Sequence, residues 1–407
     1  MSTRSRRDYL IVFVIGLVTL LASYVLGSPR ISGIDEVYYV VVARNLVERG
    51  SLNTTLYLPE EIINTGFPAR DTHMPGYMIL LALPTAIFGP TDEAFLIWSQ
   101  VGYLACGLLV FWAGQHLFSR TVGRISALSF FLYPLFFFYA NTAMTEITLQ
   151  LVATLFFCVW LKALDRPRLA HSLAMSLLLT VGTAIRPTCV LFLPPALYAL
   201  WRWPLSERVR ATLWFGISLL VLMAAIVYPL SLDRAEGSYK FFDIAGKDDP
   251  KQVVQGFLDN FILQASRHAM LPRDFPNDHI RLAQMLVAGA GLIGWIRFRR
   301  QQRAAAGYFL CTAVAMWLFL AVFYTPSGSR GLRNLMVVLP PGLIVLSGLV
   351  LSVRWKSLRR ILVVGILTGF AFFAGVGMQG QVQARRDFYI RETRKADVFA
   401  RVLGPYR

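Results

Sequence analysis

Charge is what this chain has least of. Asp, Glu, Lys and Arg make up 15% of its 407 residues, against about a quarter in soluble domains. A chain so poor in charge cannot face water over its whole surface, which excludes an ordinary soluble globular domain. Cysteine is sparse as well. Cys106, Cys158, Cys189 and Cys311 all fall in apolar runs, with neither metal-ligand nor redox spacing. No disulfide framework or metal site follows from them, and they read as small buried hydrophobes. A glycine-rich phosphate loop is missing, as are internal repeats and low-complexity linkers. Acids are outnumbered by bases, 23 to 40, for a formal charge of +17. No basic stripe interleaves with aromatics in a polar segment, so the excess does not point to nucleic acid. Bases at membrane edges, where they set orientation and meet anionic head groups, explain it better.

What the chain has in abundance is apolar length. Hydrophobic residues make up 56%, and the mean hydropathy is +0.54. Runs of roughly 17 to 25 apolar residues recur, each able to cross ~30 Å of hydrocarbon as a helix. In lipid the backbone must satisfy itself, so the fold class is an all-α integral membrane protein. About eleven transmembrane helices are expected. Nine lie near 9–27, 94–118, 122–140, 146–163, 211–230, 281–297, 305–324, 335–353 and 360–378. Segment 170–201 supplies two short crossings, broken at Arg186-Pro187 because proline disfavours helix in the residue before it. The first run follows Arg4, Arg6 and Arg7 as a signal peptide would, but without a convincing small-residue cleavage pattern it reads as a retained anchor.

Segment 74–89 is apolar but short, with Pro75 and Pro84 inside it, and reads as a juxtamembrane or re-entrant helix. Charge supports this. If it does not cross, the loops holding Arg120/Arg124, Lys162/Arg166/Arg168, Arg202/Arg208/Arg210, Arg297/Arg299/Arg300/Arg303 and Arg354/Lys356/Arg359/Arg360 all share the side of the basic N-terminus. The only acids there are Asp8, Asp165 and Glu207. That is the positive-inside pattern of a cell membrane protein. The whole of 1–407 then forms one polytopic domain. Its outer side receives a first loop of 28–93, a turn at 141–146, an insert of 231–280, a loop of 325–334 and a C-terminal tail of 379–407.

The outer side carries the candidate chemistry. Residues 36–49 have helical periodicity, with Tyr39, Val42, Ala43 and Leu46 on one side. In the plain structural reading Asp35 is their N-cap, Glu36 a first-turn acid and Gly50 the C-cap; an N-capping carboxylate can also face a pocket. Glu146, at the top of another span, is the only ionisable group in a long apolar stretch, and such acids mark function. Arg186, Arg330 and Arg333 fall on the same side, where short loops disfavour bases. Each could snorkel to head groups, but a guanidinium fork also suits phosphate oxygens. His73 begins the juxtamembrane segment; a lone histidine is more often structural.

Together these residues resemble the GT-C glycosyltransferases, in particular the branch with protein O-mannosyltransferases and lipid A aminoarabinose transferases. The resemblance rests on Asp35-Glu36-x-x-Tyr39 with Ala43-Arg44 and Gly50, then on His73-x-Pro75-Gly76-Tyr77 running to Phe88-Gly89. After these come Glu146, Arg186-Pro187, and Arg330 with Arg333 before Leu339-Pro340-Pro341. It covers most of the chain, strongly over 30–165 and weakly over 231–280. It implies transfer of a sugar from a polyprenyl-phosphate donor to a glycan, lipid or protein acceptor at the outer membrane surface, inverting the anomeric centre, with no cofactor. The family's first-loop aspartate, matched by Asp35, would be the base. Glu146, the second catalytic candidate, would orient the acceptor or pair with an arginine; it stands where the family often has aspartate, and His73 where it often has a basic residue. In the chemistry these residues allow, Arg186, Arg330 and Arg333 would bind the donor phosphate without a metal, and Glu36, Tyr39 and His73 would line the substrate site. A transporter or lipid flippase, or a polymerase or ligase of lipid-linked glycans, is the alternative. Transporters place ionisable groups nearer the midplane and often show related halves, neither of which is evident here.

Overall fold

The computed structural model describes residues 3–27, 34–54, 69–70, 74–228, 278–298, 300–323 and 335–375. Among them the chain is nearly all helix. The only strands are two-residue pieces, β1 (Asn53–Thr54) and β2 (Ala69–Arg70), paired antiparallel. The helices are α1 (Thr3–Gly27), α2 (Ile34–Arg49), α3 (Gly76–Phe88), α4 (Asp92–Leu117), α5 (Arg120–Leu132), α6 (Pro134–Tyr139), α7 (Thr145–Asp165) and α8 (Leu169–Ile185). A 3-10 turn (Pro187–Phe192) leads to α9 (Leu193–Trp201) and α10 (Leu205–Leu222), which runs on through a π turn (Met223–Val227). Then come α11 (Asp278–Arg297), α12 (Arg300–Phe323), a second 3-10 turn (Leu335–Val338) and α13 (Leu339–Leu351), followed by α14 (Lys356–Gly375).

Proline and short polar caps cut these helices where they end. Thr91 and Ser119 accept the backbone N–H of Ala94 and Val122, each at 3.3 Å, and so start α4 and α5. Gly89, at φ +82°, ends α3 in the left-handed region. The expected span 122–140 is not one helix. Pro134 has no N–H and holds Tyr133 extended (φ −67°, ψ 128°), so the segment breaks into α5 and α6. The same device acts at the anticipated break, where Arg186 is extended (φ −152°, ψ 123°) before Pro187.

Five described helices are long and apolar enough to cross a membrane, namely Arg6–Leu26, Asp92–Leu117, Thr145–Asp165, Leu205–Val227 and Lys356–Gly375. Other apolar helices, such as Gly76–Phe88 and Leu169–Ile185, are shorter. Together they make a membrane helix bundle.

α7 is its axis. It packs on α4 and α8, with Glu146, Phe156, Phe157 and Trp160 all buried, whereas α10 is largely bare. Polar contacts sort the loops between its two ends. At the Asp165 end, His116 and Gln301 bond Asp165, Arg124 pairs with Asp8, and the Trp203 indole donates to Ala163 O at 2.9 Å. Gly348, near the end of α13, lies against Phe118. The five basic loops thus gather at one end, with the N-terminal arginines. At the opposite end the starts of α2, α3 and α7 meet the end of α8. α3, 13 residues long and so about 20 Å, keeps to that end, starting against Ala184 and accepting the Trp98 indole at Leu80 O.

The cysteine expectation needs one correction. Cys106, Cys158 and Cys189 are buried, but Cys311 is exposed because its face of α12 turns to a cavity.

Candidate functional site

At the Glu146 end, the broken helix decides what Arg186 can do. Held extended by Pro187, Arg186 leaves the axis of α8 and reaches Glu146, with Nη2 to Oε1 at 3.4 Å. Both are withdrawn from solvent, their side chains 14% and 1% exposed. Glu146 sits in the first turn of α7, where the helix dipole favours an anion, and its other oxygen lies 3.4 Å from the Thr145 hydroxyl.

The turn before α7 is pinned from three sides. The Glu36 carboxylate accepts the Ala143 N–H at 3.1 Å, which ties the start of α2 three residues from Glu146. Ser99 donates to Thr142 O at 2.6 Å, and Gln100 Nε2 to Asn141 Oδ1 at 3.0 Å, from α4. Asn141 Nδ2 in turn donates to Ser23 Oγ of α1 at 3.0 Å. Glu36 is therefore a first-turn acid of α2 that is also buried and engaged.

Tyr39 follows on the same face of α2, 3% exposed, and its ring meets the Tyr77 ring edge-on at 5.3 Å. Burial pushes the Tyr77 hydroxyl well above the usual phenol range, and Tyr39, Glu146 and Glu36 push the same way. Tyr77 is thus a neutral group that feels both carboxylates. The glycine before it has a steric purpose. A Cβ on Gly76 would lie 2.4 Å from Ala184 O, so only glycine lets α3 dock beside Arg186. One turn below Glu146 on α7, Gln150 Nε2 reaches Val337 O at 3.5 Å. That contact fixes the 3-10 turn that follows the 325–334 segment.

The structure thus brings Glu36, Tyr39, Glu146 and Arg186 to one end. Asp35 is not the N-cap expected of it. α2 already begins at Ile34, which puts Asp35 inside the first turn; its side chain lies outside the described residues. Gly50 does close α2, at φ +65° with its N–H on Leu46 O. His73, Arg330 and Arg333 lie outside the described residues, as do 231–277 of the insert and the tail. Sequence reasoning quoted Tyr77 only within a motif and gave no role to it or to Ser99, Gln100 and Asn141. The signal available for the last three was a polar side chain inside an apolar run. Among the described residues no three His, Cys, Asp or Glu converge as metal ligands would.

Residues 72–231, from before α3 to past the end of α10, match the family model described as dolichyl-phosphate-mannose-protein mannosyltransferase. The solved structure of ArnT from Cupriavidus metallidurans bound to undecaprenyl phosphate is similar over 98% of this chain and 80% of its own, at 15% identity and a TM-score of 0.59. This is a GT-C fold. The archaeal oligosaccharyltransferase AglB from Archaeoglobus fulgidus, in complex with an inhibitory peptide and a dolichol-phosphate, shares the GT-C fold at 11% identity and a TM-score of 0.54. The match covers 94% of this chain but only 56% of AglB. No curated protein matches in sequence. The matched segment holds Glu146 and Arg186, while α2, with Glu36 and Tyr39, precedes it.

Proposed function

We propose that this protein is a membrane glycosyltransferase that moves a sugar from a polyprenyl-phosphate donor to an acceptor hydroxyl at the extracytoplasmic membrane surface. One observation carries the reading: the buried Arg186–Glu146 pair stands at the end of the bundle where α2 begins with Asp35 and Glu36. The polyprenyl phosphates held by the similar structures of ArnT and AglB support the donor class.

In this reading the five basic loops face the cytoplasm, eleven helices cross, and the site opens outward. Asp35 takes the proton of the acceptor hydroxyl as its oxygen attacks the anomeric carbon. The bond from that carbon to the phosphate oxygen breaks, the configuration inverts, and the polyprenyl phosphate leaves with both electrons. Arg186, Arg330 and Arg333 stabilise the charge gathering on it, the electrostatic effect that dominates such reactions. Glu146 holds the Arg186 fork in place, and Glu36, Tyr39 and His73 shape the acceptor side.

The test is transfer in detergent from a polyprenyl-phosphate sugar to a hydroxyl acceptor. Asp35→Asn should lose ~100-fold or more of the rate while the protein stays folded and inserted. Near-normal turnover would remove Asp35 as the base. Transport across sealed vesicles without transfer in detergent would replace the enzyme by a transporter. Arg330→Ala should chiefly weaken donor use, and unchanged donor kinetics would return that arginine to a head-group contact.

A further inference from the structure

Two of the basic loops that orient the chain close around a cavity of about 630 Å³. It lies away from the site above, since Trp160 on its wall is some 21 Å along α7 from Glu146 at 1.5 Å per residue. The helical period builds it. On α12, Arg300, Arg303 and Tyr308 fall on one face, and Tyr198 of α9 lines the wall with Arg202, which caps that helix. Trp295 of α11 completes the wall.

Its chemistry is one-sided. Three guanidinium groups line it and no carboxylate does. Asp165, at the end of α7, is bonded by His116 and Gln301. Arg303 uses Nε and Nη2 to hold Phe298 O and Ile296 O at 2.9 and 3.2 Å, which caps α11 and fixes the guanidinium. Arg202 and Arg300 make no ion pair among the described residues. Arg300 also keeps a left-handed backbone, φ 48°, a strained conformation at the point where its side chain enters the wall. The Tyr308 ring packs on Trp160, and its buried hydroxyl lacks a hydrogen-bond partner. Beside the cavity the surface turns apolar: Trp201 is 69% exposed next to Arg202, and Ile296 64% next to Trp295.

We propose that this cavity binds the phosphate diester headgroup of an anionic glycerophospholipid, with the acyl chains lying along the bare faces of α9 and α11. Guanidinium forks match phosphate oxygens, and Trp and Tyr suit the headgroup level of a bilayer. A free phosphate ion would use the same forks but would leave Trp201 and Ile296 uncovered. This site is independent of the donor site and stands or falls without it.

The experiment uses the full-length protein in a neutral detergent, with phosphatidylglycerol, phosphatidylcholine of the same chains, or inorganic phosphate. Native mass spectrometry should retain phosphatidylglycerol and not phosphatidylcholine. The double variant Arg202→Gln/Arg300→Gln should lose roughly tenfold or more in affinity. Phosphatidylglycerol with brominated chains should quench tryptophan fluorescence of the unaltered protein, a readout that needs no variant to fold. Equal retention of the two lipids, undiminished binding by the variant, or absence of quenching would overturn the proposal. Displacement of phosphatidylglycerol by millimolar inorganic phosphate would overturn the lipid assignment in favour of a soluble anion.

Discussion

α7 ends in two different kinds of electrostatics. At its start, Glu146 and Arg186 meet away from water, with the turn before them tied to α1, α2 and α4. Beyond its other end, Arg202, Arg300 and Arg303 surround an open cavity with no acid on its wall. Desolvating a cation and an anion is costly unless they pair, so the first arrangement fixes both groups in one geometry. The second leaves charge available to a ligand that brings its own anion. In a chain with so few charges, the paired end suits positioning of reacting groups, and the open end suits capture of a headgroup.

The largest effect should come from unpairing the closed end. Glu146→Ala leaves the Arg186 guanidinium withdrawn from water with one fewer carboxylate, and losing one partner of a buried pair costs about 3–5 kcal/mol. The expected outcome is a markedly lower melting temperature in detergent together with loss of transfer. Arg202→Ala, at the open end, should move the melting temperature far less. Equal effects of the two variants would erase the contrast.

Packing gives the next largest. Gly76→Ala sets a Cβ against a backbone carbonyl, Ala184 O, which cannot swing aside as a side chain would. Overpacking of this kind costs about 1–3 kcal/mol, and here it also moves α3 away from Arg186. Gly216→Ala, in the bare α10, meets nothing within 4 Å and should be neutral or stabilising by up to ~1 kcal/mol. If both glycine variants melt alike, α3 does not dock tightly on α8 at Gly76.

Much of the helical architecture was legible in the sequence because membrane helices announce themselves by apolar length, and the clustering of the basic loops at one end by arginine placement. The break at Arg186-Pro187 could be read since a charged residue stood beside the proline. The same break at Tyr133-Pro134 was hidden in an unbroken apolar run. Asp35 slid from cap to first turn because helix ends are set by local backbone bonds that composition does not reveal. What stayed illegible depends on distant pairings: Glu36 on Ala143, Asn141 on Ser23, and Arg202 lining the same cavity as Arg300. The exposure of Cys311 belongs to the same class, since only the packing of α12 shows which face is left open.

The smallest predicted effect separates charge from position at Glu36. Its carboxylate accepts the backbone N–H of Ala143 at 3.1 Å, and a glutamine amide oxygen of the same reach can accept that bond. Glu36→Gln should therefore change stability by under ~1 kcal/mol and transfer by a few-fold at most, while Glu36→Ala strands the N–H at about 1–3 kcal/mol. Both are read by melting temperature and by kcat/KM on the same donor. If Gln behaves like Ala in stability, the negative charge, not the hydrogen bond, holds the turn. If Gln keeps stability but loses transfer ~100-fold, Glu36 acts on the reacting atoms, and the acid that positions the loop would also be one that handles the proton.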